Sequence, residues 1–159
     1  MPVHIRPATE SDVALVVSFI SELAAYEKLA HEVVVTEERI RGALFGPRPV
    51  AEVALACEGD QAVGFALFFQ NFSTFLGLPG IYLEDLFVRP SARGRGVGRR
   101  LLAHLARLAQ ERGCGRLEWA VLDWNDSAIR FYRNLGARRL DDWRVFRLAG
   151  EALEQLART

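Results

Sequence analysis

Arg93-Gly94-Arg95-Gly96-Val97-Gly98 stands between a run that reads as a strand and a run that reads as an amphipathic helix. A strand-to-helix turn of this composition leaves several backbone N–H groups unpaired and aimed at one spot, where the helix dipole adds positive potential. Glycine lets the backbone approach an anion with no side chain between, and Arg99 and Arg100 follow directly. The pattern predicts a phosphate site, with a diphosphate as the anion; a flexible loop with solvated arginines is the alternative. A P-loop is excluded because no Gly-Lys-Ser/Thr ending follows. A dinucleotide fingerprint is excluded because Arg99 occupies the position that needs Gly or Ala.

Two carboxylates interrupt the apolar run Ile81-Tyr82-Leu83-Glu84-Asp85-Leu86-Phe87-Val88. Strand alternation predicts that Glu84 and Asp85 point to opposite faces. A carboxylate there is costly to bury without a partner, so each either pairs with an arginine or meets a substrate. Tyr132 follows Asn125 by two helical turns and projects from the same face, which by itself reads as a packed aromatic with a satisfied hydroxyl. Cys57 lies among Val53, Ala54, Leu55 and Ala56 and reads as core; Cys114 follows Gly113 with no paired histidine, so no cysteine nucleophile is expected. His4, His31 and His104 show no ligand spacing, and no metal is expected. Trp119, Trp124 and Trp143 lack a basic stripe around them and read as core or pocket walls.

The elements that position these residues follow from periodicity and punctuation. Val3 and Ile5 predict a short strand stopped by Pro7. Thr9-Glu10-Ser11-Asp12 then caps a helix carrying Val13, Val16, Val17, Ile20, Leu23 and Ala24 to about Tyr26 or Glu27. A second helix runs from Thr36 through Ile40 and Leu44 to Gly46-Pro47. Val50 to Glu58 and Ala62 to Gln70 form a hairpin, and Ile81 to Val88 a third strand. Leu101 to Ala109 is a helix closed by Gly113, and Arg116 to Leu122 a strand. Asn125-Asp126-Ser127 caps a helix through Ile129, Tyr132 and Leu135 that Gly136 ends. A last strand around Trp143 to Leu148 leads into a C-terminal helix. The order predicts one α/β domain over 1–159, with a mixed, largely antiparallel sheet and a β-α-β crossover from Ile81 to Leu122.

Composition narrows the class. The chain has 159 residues, with 20 Lys+Arg against 20 Asp+Glu, so nothing global draws it to nucleic acid or an anionic membrane. Two cysteines are too few for a disulfide scaffold. No run reaches the length of a membrane span and no leader pattern opens the chain. The expectation is a soluble, unprocessed, cytoplasmic protein.

Arg93-x-x-Gly96-x-Gly98 resembles the Arg/Gln-x-x-Gly-x-Gly/Ala motif of the GNAT acetyltransferases. Ile5-Arg6-Pro7-Ala8, Glu22-Leu23-Ala24-Ala25-Tyr26-Glu27, Tyr82-Leu83-Glu84-Asp85 and Phe131-Tyr132 are similar to the diamine (spermidine/spermine) acetyltransferase branch over nearly the whole chain. The resemblance implies the GNAT fold, acetyl-CoA as acetyl donor and a homodimer. It implies cofactor contacts from Leu86, Phe87, Val88, Arg93, Gly94, Arg95, Gly96, Val97, Gly98, Arg99, Asn125, Asp126, Ser127 and Ala128. It also implies that Glu84 binds the acceptor amine and takes its proton, directly or through water, and that Tyr132 protonates the departing thiolate. A lysine-type amine has a solution pKa of about 10.4, so a site that uses it must remove a proton. Asp85 is left between substrate binding and structure.

The branch's Asp-Pro-Trp segment is replaced here by Asn71-Phe72-Ser73-Thr74-Phe75-Leu76-Gly77, which weakens a polyamine reading. Ala120 to Asn125 and the Ser73-Thr74 pair look more like the sister group that acetylates thialysine and related lysine-like amino acids. A neutral Ser/Thr loop can hydrogen-bond a substrate carboxylate that an Asp would repel. Tyr26, Glu27, Ser73, Thr74, Glu84, Asp85, Leu122 and Asp123 are the expected acceptor contacts. Polyamine acetylation is the alternative, followed by a non-catalytic acyl-CoA sensor; a purely structural dimerisation domain leaves the arginine-glycine loop without a purpose, and modification of a protein lysine is a third possibility within the enzyme class.

Overall fold

The structure, a computed structural model, describes residues 2–159. Their contacts group into two compact units, one through Leu122 and one spanning Asp123–Thr159.

The first unit is built on a five-stranded sheet in sequential order, β1 (Val3–Pro7), β2 (Glu52–Glu58), β3 (Gln61–Ser73), β4 (Leu78–Val88) and β5 (Leu117–Trp119). The first four pair antiparallel, and β4 with β5 is the one parallel pair among the described residues. A parallel pair needs a crossover, and α3 (Val97–Glu111) supplies it. The mixed α/β class, the antiparallel first half and the β-α-β unit therefore stand as the sequence predicts.

The sheet carries a helix layer on each face. On one, α1 (Val13–Tyr26) and α2 (Glu37–Phe45) bring Val16, Phe19, Leu23, Ile40 and Leu44 onto Val53, Leu55 and Cys57 of β2, with Phe65 and Phe87. Phe19 stacks on Phe65 at 5.2 Å between ring centroids. Alternation along β2 leaves the buried Ala54 and Ala56 for the other face, where α3 packs with Leu101 and Leu105 fully buried. The small alanines let that helix approach.

Two junctions fix α1. At its start, Arg6 of β1 makes a two-pronged contact with Asp12 (2.8 and 3.0 Å), and Asp12 also accepts from the Thr9 amide at 2.7 Å. These bonds hold the Asp12 carboxyl down at about 2. At its end, Lys28 takes a left-handed conformation (φ 62), and the Leu29 amide reaches back to the Ala24 carbonyl at 2.8 Å. This is the helix stop that glycine usually provides, here made by a lysine.

The second unit holds α4 (Asp126–Asn134) and α5 (Gly150–Ala157). Asn125 caps α4, its side chain accepting from the Ala128 amide, and Gly136 turns out of it at φ 91. The strand expected around Trp143 to Leu148 does not form. Its apolar alternation is present, but a strand exists only against a partner, and no described strand pairs with it. The strand expected from Arg116 to Leu122 is likewise limited to Leu117–Trp119, the stretch that pairs with Ile81 to Leu83 of β4.

Candidate active site

β4 changes register at the two carboxylates. Leu67 of β3 opposes Asp85 and the next residue, Phe68, opposes Leu83, so Glu84 is an extra residue facing nothing on β3. Such a bulge re-aims side chains. Glu84 and Asp85 accordingly line the same cavity, which corrects the expectation of opposite faces.

The bulge also reverses which edge the β4 backbone addresses. Ile81 donates its amide toward β5, to Arg116, whereas Arg89 donates toward β3, to Val63. Both residues are odd-numbered, and backbone groups alternate along a regular strand, so the parity must switch between them. Beyond the bulge the N–H and C=O groups of Leu86 and Val88 therefore point away from β3. The pairing of β4 with β5 ends at Leu83 opposite Trp119, so Leu86 and Val88 offer backbone groups at an edge with no strand on it. Phe87 turns its backbone the other way and its side chain is buried.

The glycine-arginine loop follows directly. Gly94 and Gly96 take φ values of 76 and 78, the left-handed region that glycine enters without strain, and Gly96 is the N-cap of α3. Among the described residues, no acceptor takes a hydrogen bond from the backbone amides of Gly94, Arg95, Gly96, Val97, Gly98 or Arg99. Successive amides left open at a helix start form an anion nest. Most of the arginines have other tasks. Arg93 donates from Nε to the Val88 carbonyl at 2.8 Å and lies over the rings of Tyr26 (4.8 Å) and Phe87 (5.4 Å). Arg95 pairs with Glu58 at 2.7 Å, and Arg100 donates to the Val3 carbonyl at 2.9 Å. The backbone amides, with Arg99 beside them, are the groups left open to meet an anion.

The cavity that Glu84 and Asp85 line has a volume of about 440 Å³. Ile20, Leu23 and Ala24 of α1, with Leu29 and Val33 to Val35 of the α1–α2 connection, give it aliphatic walls. Its charged lining is Glu27, Glu32, Glu84, Asp85 and Arg39. Burial, with Glu84 and Glu27 nearby, pushes the Asp85 carboxyl up to about 6. Burial also raises Glu27, which caps the end of α1. Carboxylates crowded in this way are stabilised by a cation arriving among them.

The other expected contacts fall elsewhere. Tyr26 ends α1 and holds Arg93 rather than lining the cavity. Ser73 is buried in the β3–β4 turn, where its hydroxyl accepts from the Leu76 amide at 3.2 Å, and Thr74 is exposed beside it. That turn pairs Ser73 with Leu78, six residues from Glu84 and so roughly 20 Å along the strand. Leu122 is half-buried at the end of the first unit. In the second unit Asp123 faces Arg139 at 3.7 Å, Asn125, Asp126, Ser127 and Ala128 form the start of α4, and Tyr132 lies against Phe131. Sequence reading missed Glu32 and Arg39. Neither belongs to a motif, and the turn at Lys28 folds their segment back over β4.

Comparison with known proteins agrees with this architecture. The description of the acetyltransferase (GNAT) family matches residues 20–137. Thialysine N-epsilon-acetyltransferase of Bos taurus is 41% identical over 98% of this chain and 97% of its own length. An L-ornithine N5-acetyltransferase of Arabidopsis thaliana is 32% identical over 96% of this chain and 87% of its own. Among solved structures, an integron cassette protein from V. cholerae superposes with a TM-score of 0.83 at 30% identity, covering 100% of this chain and 99% of that one.

Proposed function

The chain belongs to the GNAT acetyltransferase family, and from that premise we propose that it transfers the acetyl group of acetyl-CoA to the side-chain amine of a lysine-like amino acid such as thialysine. The observation that carries this reading is one acid-lined, aliphatic-walled cavity that both Glu84 and Asp85 of the bulge line. The nest suits the pyrophosphate of the donor. The open edge at Leu86 and Val88 suits the amide groups of its extended arm.

In this reading Glu27 and Asp85 draw the acceptor ammonium in, and Glu84 takes its proton, directly or through water. The freed nitrogen then attacks the thioester carbonyl while a β4 backbone N–H polarises the oxygen. The C–S bond breaks as the N–C bond forms; Tyr132, assigned by family resemblance, gives the sulfur its proton, and the second proton shed by the attacking nitrogen restores the tyrosine through water. Proximity and charge placement supply the acceleration, without an acyl-enzyme in this reading: Cys57 is buried, and Cys114 follows Gly113 with no histidine paired to it in sequence.

The relatives acting on thialysine and on ornithine both modify an ω-amine of an amino acid, which supports that acceptor class. Four carboxylates around one cavity favour a second reading, acetylation of a polyamine. Amine-dependent CoA release tests the proposal: thialysine should stimulate it more than spermidine, and release that no amine stimulates would overturn the enzymatic reading. By the same family resemblance the chain acts as a cytoplasmic homodimer. No helix among the described residues is long and apolar enough to cross a membrane.

A further inference from the structure

One cation lines the acceptor cavity. Arg39, in the first turn of α2, is there together with Glu27, Glu32, Glu84 and Asp85. Its guanidinium forms no salt bridge with any of them or with any other described residue, whereas Arg6, Arg89, Arg95, Arg112 and Arg116 each pair with a carboxylate. A guanidinium presents a planar fork of donors that matches a carboxylate in two parallel hydrogen bonds. On the same lining, Leu23, Leu29 and Val33 give aliphatic walls that suit a methylene or thioether chain.

We propose that Arg39 binds the α-carboxylate of the acceptor and thereby selects an amino acid over the corresponding diamine. The cavity is then read from its two ends: an ammonium at Glu27, Glu84 and Asp85, an aliphatic stem along the walls, and a carboxylate at Arg39. Glu32, on the same lining, receives the α-ammonium. A diamine or polyamine offers Arg39 only a like charge, which adds discrimination by repulsion. This inference rests on the amino acid reading above and replaces Ser73 and Thr74 as the carboxylate site, since they lie at the far turn of β4.

The test compares kcat/KM for lysine with kcat/KM for cadaverine, the same molecule without its carboxylate, in the wild type, Arg39→Gln and Arg39→Lys. The ratio of the two cancels any difference in the fraction of folded enzyme. Arg39→Gln should lower the lysine-to-cadaverine ratio roughly tenfold or more, mainly through KM for lysine, because a charge-assisted pair is lost. Arg39→Lys keeps the charge without the fork and should fall between. A ratio within twofold of wild type in both variants, with wild type still preferring lysine, would overturn the role of Arg39 and leave the amino acid reading standing. Wild type that acetylates cadaverine but neither lysine nor thialysine would overturn the amino acid reading, and this inference with it.

Discussion

Glu84 and Asp85, consecutive residues of β4, open into one cavity because Glu84 is the extra residue of a bulge and Asp85 resumes the pairing with Leu67. The same irregularity turns the backbone of Leu86 and Val88 to the open edge. One inserted residue thus arranges both features on which the proposed function rests, the paired carboxylates and the open backbone groups.

Burial, with Glu84 and Glu27 nearby, makes Asp85 a burden on folding at neutral pH. Its folded pKa of about 6 lies above the ordinary 3.8, so folding favours the protonated form. The sign is that stability is highest below about pH 4 for this group and is lost as pH rises through about 6, by roughly 2–3 kcal/mol in full. Asp85→Asn should therefore unfold at higher urea concentration than wild type at pH 8, with the difference shrinking toward pH 4.5. Activity should fall in the same variant, since the ammonium loses a carboxylate.

Asp12 predicts the opposite slope. Its carboxyl, held near 2 by Arg6 and the Thr9 amide, contributes stability that is present above about pH 4 and lost as pH falls toward 2. Asp12→Asn should cost about 2 kcal/mol at pH 7 by urea titration, and the penalty should diminish in acid. Activity per folded molecule should be retained.

Much of this was legible in the chain. Glycine and capping residues mark where α3 and α4 begin and end, and the Arg93 to Gly98 spacing locates the anion nest, because a backbone forced to positive φ leaves a residue-type signature. The bulge was not legible: it is a mismatch between β3 and β4, and alternation within β4 alone predicts opposite faces for Glu84 and Asp85. Arg39 was invisible for a similar reason, since a left-handed lysine at position 28, where glycine would have announced a turn, brings its segment over the sheet. The Trp143 to Leu148 run shows the reverse error, a strand pattern without a partner.

The nest yields a donor-specific prediction. A Cβ at Gly96 would meet nothing within 4 Å, so Gly96→Ala strains only the backbone, by about 1–2 kcal/mol at φ 78. The amides should lose their common aim. KM for acetyl-CoA should rise roughly tenfold while KM for the acceptor changes little, measured by initial rates with each substrate varied in turn.

Proton removal predicts a rescue. Glu84→Gln should lower kcat/KM for the acceptor roughly 100-fold at pH 7, and the deficit should narrow as pH approaches the amine's own pKa of about 10. A deficit constant across pH would assign Glu84 to binding alone.

The most direct measurement is a competition: equimolar thialysine and spermidine offered to the enzyme with limiting acetyl-CoA, the products identified by mass spectrometry and the acetylated nitrogen by NMR. The proposed function predicts that most of the label appears on the side-chain nitrogen of thialysine. Acetyl-spermidine as the main product, or acetylation of the thialysine α-amine, would contradict it.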